Sequence, residues 1–104
     1  MAYIRVSYMT PRPGQEARVA EILGRLAEAY ASRPGYIQGY VMHPRTDAAP
    51  SETRRLGRVG VWETADAAEA AGQRVIALRS ELLPLVDEDS HVELTFEGGP
   101  DIDA

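Results

Sequence analysis

Four short stretches of this sequence alternate in the two-residue rhythm of β-strands, and only two helical stretches separate them. Tyr3–Met9 is rich in β-branched and aromatic residues and reads as the first strand. Thr10-Pro11-Arg12-Pro13-Gly14 breaks it. From Gln15 to Ser32 the apolar residues Val19, Ile22, Leu23, Leu26 and Tyr30 recur at steps of three and four, the stripe of a helix that Pro34-Gly35 ends. Tyr36–His43 is a second strand, and the aperiodic Arg45–Thr53 reads as a mobile loop. Leu56–Trp62 is a third strand. Thr64 then suits an N-cap, with Asp66 and Glu69 favourable near the positive end of the helix dipole. Gly72 is placed to bend or split this second helical stretch, whose apolar residues Val75, Ile76, Leu82 and Leu83 run on to Pro84. His91–Glu97 is the last strand. The order predicts one α+β domain over residues 1–97, a ferredoxin-like βαββαβ antiparallel sheet with both helices on one face, and a flexible acidic tail over 98–104.

Both faces of that sheet are greasy, which two helices cannot remedy. Successive strand residues point to opposite faces. One parity collects Ile4, Val6, Tyr8, Ile37, Val41, Val59, Val61, Val92, Leu94 and Phe96. The other mixes Tyr3, Met9, Tyr36, Tyr40, Met42, Leu56 and Trp62 with Arg5, Ser7, Gln38, Arg58, His91, Glu93 and Thr95. At roughly 25 cal/mol per Å² of apolar surface, leaving either face wet is costly. A second copy of the sheet related by two-fold symmetry is the simplest cover, so a homodimer is expected.

Charge and composition exclude several classes. The net charge is −5, and from Asp87 onward there are seven acidic residues and no Lys or Arg, so no basic stripe exists to bind nucleic acid. The first residues alternate rather than forming a basic stretch and an apolar run, and no run approaches the ~20 apolar residues of a membrane span, so a cytoplasmic protein is expected. Cysteine is absent, which removes thiolate metal sites and a cysteine nucleophile. All 11 basic residues are arginine, a bias that fits a GC-rich bacterial genome.

The residues able to do chemistry are few. His43 and His91 are the only histidines; neither has a partner at metal-ligand spacing, so no metal site is expected, and either could serve as a general base. Arg5 and Glu93 share a parity on strands that neighbour each other in a 4-1-3-2 sheet, with Arg58 in the third strand. They read as a polar patch for a substrate carboxylate or phenolate, or as an ion cluster inside the dimer. Trp62, Tyr40 and Tyr36 could stack on a flat aromatic compound or fill a core. Ser7 has no GxSxG elbow around it, so a hydrolase nucleophile is not indicated.

Pro13-Gly14, Arg33-Pro34-Gly35-Tyr36, and Val61-Trp62-Glu63-Thr64 followed by Ala65-Asp66-Ala67 give the sequence, over residues 2–97, a pattern that resembles the antibiotic biosynthesis monooxygenase family of dimeric α+β barrels. The resemblance implies a ligand cleft between sheet and helices, faced by Ser7. It implies a cofactor-independent oxygenase acting on a flat aromatic or phenolic compound, with Arg5, Ser7, Tyr40, Arg58 and Trp62 lining the pocket and His91 or His43 as base. Haem-degrading members use an asparagine in the first strand and a tryptophan and histidine on the second helix, where Ser7, Ala71 and Glu81 stand here; that departure speaks against haem degradation. Two other readings stay open, a non-catalytic dimeric ligand-binding accessory domain and a related isomerase or cyclase. Parity alone would put the helices on the aliphatic face, whereas the resemblance would put them on the mixed one.

Overall fold

A computed structural model describes residues 1–47 and 54–100. Residues 48–53 of the expected loop and 101–104 of the expected tail lie outside the described residues. The strands are β1 (Ala2–Met9), β2 (Tyr36–Met42), β3 (Leu56–Trp62) and β4 (Val92–Gly98), in one antiparallel sheet ordered β2-β3-β1-β4. Gly98, expected to begin the tail, is the last residue of β4. Helix α1 (Glu16–Ala31) buries the five stripe residues Val19, Ile22, Leu23, Leu26 and Tyr30. The turn into β2 needs Gly35, whose φ of 83° is left-handed and whose missing Cβ would collide with that of Ala67. The Gly35 carbonyl accepts from the Glu63 N–H at 2.8 Å, which ties this turn to the end of β3.

Thr64 caps α2 (Ala65–Gln73), its hydroxyl accepting from the Ala67 N–H at 3.1 Å. The second helical stretch is split: α2 stops one residue after Gly72, α3 (Ile76–Ser80) follows, and a 3-10 turn at Leu83–Leu85 ends at the strap to β4. Of its expected apolar stripe, Val75 is buried and Leu82 half-buried, but Ile76 and Leu83 are 52% and 73% exposed because the break turns them outward. Among the described residues no helix is long and apolar enough to cross a membrane.

The helices cover the mixed face. Met9, Leu56, Arg58 and Trp62 are buried beneath them together with Ala68, Ala71 and Val75, while Leu94 and Phe96 lie exposed on the other side. The deciding difference is bulk: Trp62, Met9 and Leu56 offer larger surfaces to α1 than a row of valines does, and Trp62 meets Tyr30 of α1 edge-on at 5.7 Å.

Simple parity fails in β2. A bulge between Tyr36 and Gln38 shifts the register, so Tyr36 pairs with Trp62 inward but Gln38, Tyr40 and Met42 pair with Val61, Val59 and Gly57 on the outer face. Val41, grouped by parity with the aliphatic residues, instead shares the mixed face, where it pairs with Arg58 and packs on the core. Tyr40, expected in the pocket, stands 58% exposed on the opposite side of the sheet. One extra residue inverts every side chain after it. The corrected outer face gathers Ile4, Val6, Tyr8, Tyr40, Met42, Val59, Val61, Val92, Leu94 and Phe96, with Gln38 its one amide.

Candidate functional site

On the inner face the register stacks four rows. Tyr36, Trp62, Tyr3 and Glu97 make the first; Gly39, Gly60, Arg5 and Thr95 the second; Val41, Arg58, Ser7 and Glu93 the third. Leu56 and Met9 hold the fourth; His43 follows the end of β2 and His91 precedes the start of β4. The glycines of the second row leave a hollow that neighbouring side chains fill. A Cβ at Gly60 would sit 3.0 Å from Trp62 Nε1, and one at Gly39 would sit 2.6 Å from the Tyr36 hydroxyl and 3.2 Å from Arg58 Nη2. The Arg58 guanidinium therefore lies folded over β2 and β3, with its Cζ 4.6 Å from the centre of the Tyr30 ring.

Arg58 is the unusual residue of this face. It is 8% exposed, its Nε and Nη2 have no hydrogen-bond partner, and no carboxylate pairs with it among the described residues. Burial lowers its pKa, and the fields of Tyr30 and Tyr36 only partly oppose this. Arg5 is different. Burial acts on it in the same direction, but a hydrogen bond from Nη2 to the Tyr3 hydroxyl (3.1 Å) and the nearby Tyr3 and Glu93 outweigh it, and its pKa is raised. Arg5 Nε lies 3.3 Å from Glu93 Oε1, so the expected cluster forms between these two and leaves Arg58 out.

Between sheet and helices these residues enclose a cavity of about 60 Å³, lined by Arg5, Ser7, Tyr30, Arg58, Trp62 and Arg79 among others. At about 10–15 Å³ per water position it holds a few waters and no more. Beyond it a shallower apolar groove of about 270 Å³ runs over Val86, Leu83 and Ile76 to His91, and the two spaces share Met9, Arg79 and Leu82.

Four of the expected site residues, Arg5, Ser7, Arg58 and Trp62, thus come together at the cavity. His91 stands at the far end of the groove, exposed. It lines the groove and not the cavity, whereas Arg58 lines the cavity and not the groove. His43 follows β2, at the opposite edge of the sheet from β4, and is also exposed. The two histidines cannot serve one reacting atom together. Arg79 and Tyr30 complete the cavity although neither stood out in the sequence. Arg79 had a legible sign: its helical neighbours three and four residues away, Val75, Ile76, Leu82 and Leu83, are all apolar, so the charge sits inside an apolar stripe. Among the described residues no group of three His, Cys, Asp or Glu could hold a metal ion.

A four-stranded antiparallel sheet with its helices on one face and a small cationic, aromatic cavity between the layers defines a ferredoxin-like α+β domain. Within that class the chain belongs to the antibiotic biosynthesis monooxygenase family, whose model matches residues 2–75. The match stops short of the expected 97, so β4, with Glu93 and the preceding His91, lies beyond it. No curated protein matches the sequence. Solved structures agree on the fold. SnoaB, a cofactor-independent oxygenase from Streptomyces nogalater, is similar at 17% identity and a TM-score of 0.77 over 99% of this chain and 98% of that one. Rv0793 from Mycobacterium tuberculosis gives 8% identity and 0.80 over 99% and 100%. A conserved protein from Methanosarcina mazei Go1 gives 12% and 0.80 over 95% and 94%. At such identities the likeness speaks for architecture and leaves activity to the site itself.

Proposed function

We propose that the protein is a bacterial cytoplasmic enzyme that oxygenates a flat aromatic or phenolic compound without metal or organic cofactor, working as a homodimer. The observation that carries this reading is Arg58, a buried cation without a counterion, set beside Trp62 and Tyr30 in the cleft. A guanidinium held dry and unpaired is matched to negative charge that develops on a bound molecule, where it acts without reorganising. The cavity alone is too small for a ring system, since ligand sites usually span about 300–1,000 Å³. The groove supplies the missing length. A compound of two or three fused rings lying across Met9 and Leu82 spans the distance from Arg58 to His91.

In such a reaction the imidazole of His91, a side chain suited to general-base work, takes a proton from a substrate hydroxyl or activated carbon. The resulting anion is stabilised by Arg58 and Arg5, and the apolar walls keep water away while it reduces dioxygen. One oxygen atom stays on the product as a new carbonyl and the other leaves as water, the reacting CH2 of an anthrone-like substrate giving up both hydrogens and all the electrons that reduce the oxygen. Family membership and the likeness to SnoaB, a cofactor-independent oxygenase, support this chemistry. The homodimer would cover the outer apolar face, where Phe96 and Leu94 are 51% and 44% exposed in one chain.

A non-catalytic ligand-binding role has one observation in its favour: no histidine or carboxylate lines the closed cavity. Oxygen uptake with a panel of quinols and anthrone-like phenols separates the two. Uptake that falls at least tenfold in Arg58→Ala and in Trp62→Phe is the expected result; binding without uptake by any member of the panel would leave the accessory role.

A further inference from the structure

The stretch from Ile76 to Leu83 is fastened more loosely than the segments on either side of it. Before it, α2 is fixed: Ala68, Ala71 and Gly72 are buried, and Val75 joins the core. After it, the strap is pinned to the end of β1. There the Arg12 N–H donates to the Leu85 carbonyl at 2.8 Å, Arg12 Nε to the Val86 carbonyl at 3.0 Å, and the Asp87 N–H to the Thr10 carbonyl at 2.8 Å. Between these anchors α3 has no buried residue. Its hydrogen bonds are local: the Arg79 N–H reaches the Val75 carbonyl, the Leu82 N–H the Arg79 carbonyl, and the Ser80 hydroxyl the Ile76 carbonyl. Among the described residues, the polar ties of this stretch to the rest of the fold are two ion pairs of Glu81 with α1, at 3.1 Å to Arg18 and 3.9 Å to Arg25. Half-buried Leu78 and Leu82 add apolar packing. A segment with few buried contacts between two firm anchors is one that opens locally.

The same stretch is the partition between the two inner spaces. The cavity and the groove share Met9, Arg79 and Leu82. Met9 is buried on β1, but Arg79 and Leu82 belong to the loosely held stretch. With these two swung outward, the spaces join, and their combined volume reaches the lower end of the about 300–1,000 Å³ usual for ligand sites. The backbone bends at both ends: Val75 leaves helical geometry (φ −122°, ψ 17°) and Val86 is extended (φ −118°, ψ 156°).

We propose that Ile76–Leu83 is a lid over the inner cavity, hinged at Val75 and Val86 and latched by Glu81 between Arg18 and Arg25, and that its opening joins cavity and groove into the space a bound molecule enters. The inference rests on the functional reading for there being a ligand, and adds how one is admitted; its test needs neither ligand nor oxygen. Glu21 holds Arg18 at 2.8 Å, so α1 presents a preset cation to the latch. The latch is exposed, which makes it weak and sensitive to salt.

The sequence has no cysteine, so Ala68→Cys puts a single thiol on the cavity wall, at a position 2% exposed and absent from the groove. Its alkylation by iodoacetamide, a neutral reagent, reads how often the cavity opens. Raising NaCl from about 0.05 to 0.5 M should speed alkylation about threefold by screening the latch. Adding Glu81→Gln should give the same gain at low salt and abolish the salt response. Adding Glu69→Gln, exposed on α2, should change neither. Should the thiol prevent folding, amide exchange of the otherwise unaltered protein takes its place: Glu81→Gln should speed exchange over residues 76–83 and leave α1 and β3 as they were. A rate indifferent to Glu81→Gln, a salt response that survives it, or a gain accompanied by lower Tm and faster exchange in α1 and β3 overturns the proposal, the last because it reports global unfolding. Absence of oxygen uptake with every phenol would remove the oxygenase reading and leave the lid standing; uptake with a cavity blind to Glu81 would do the reverse.

Discussion

Replacing Arg58 by methionine removes a buried charge while keeping most of its aliphatic stem over Tyr30, and the folded protein should become more stable. Each orphaned donor costs about 1–3 kcal/mol when shut away from water, and Arg58 has two of them. Against this, the stacking of its guanidinium on Tyr30 at 4.6 Å contributes up to about 2 kcal/mol. Neither donor has surface that water can reach, so nothing softens the first figure, and the net gain is about 2 kcal/mol. In a domain of this size that is a rise in Tm of about 5–10 °C, measured by calorimetry at fixed protomer concentration without ligand. The sign with pH follows from the direction of the shift. Arg58 has a folded-state pKa below its unfolded one, so its charge disfavours folding at every pH under that folded value and is relieved only in strong alkali. An arginine stays charged throughout the ordinary range, so the gain should be the same at pH 5 as at pH 9. A Tm that falls on substitution would mean that Arg58 holds the fold together, and the case for a waiting counterion would go with it.

The outer face should be the seat of self-association: Phe96→Asp or Val59→Asp is expected to turn a dimer into a monomer by light scattering after gel filtration, and a mutant that stays dimeric would place the interface elsewhere. Gly57→Ala should lower Tm by well over 10 °C or abolish soluble expression, because a Cβ there runs into the Ser7 carbonyl and the Tyr8 backbone, atoms that cannot step aside; unchanged stability would refute the close β1–β3 approach.

Local regularities were legible residue by residue. The stripe from Val19 to Tyr30, the cap at Thr64 and the break at Gly72 each depend on neighbours within a turn or two, and each stands in the structure where the sequence puts it. The outcome for Tyr40 shows the limit. Its neighbours read as a clean alternation, yet the bulge at Tyr36–Gln38 is a product of pairing with β3 and cannot be seen from β2 alone. Arg58 shows the same limit in another form: the sequence places it on the mixed face, but only the tertiary structure sets it over Tyr30, apart from the Arg5–Glu93 pair.

By itself the sequence determined the order of elements, the pairing of an apolar surplus with too little helix to cover it, and the absence of cysteine and of a basic stripe, because composition and period are properties of the chain read in one dimension. Which face takes the helices, where Tyr40 points, and why one arginine is left without a counterion were decided by the fold. Those are questions of which distant residues share a space, and a single inserted residue in β2 is enough to change the answer.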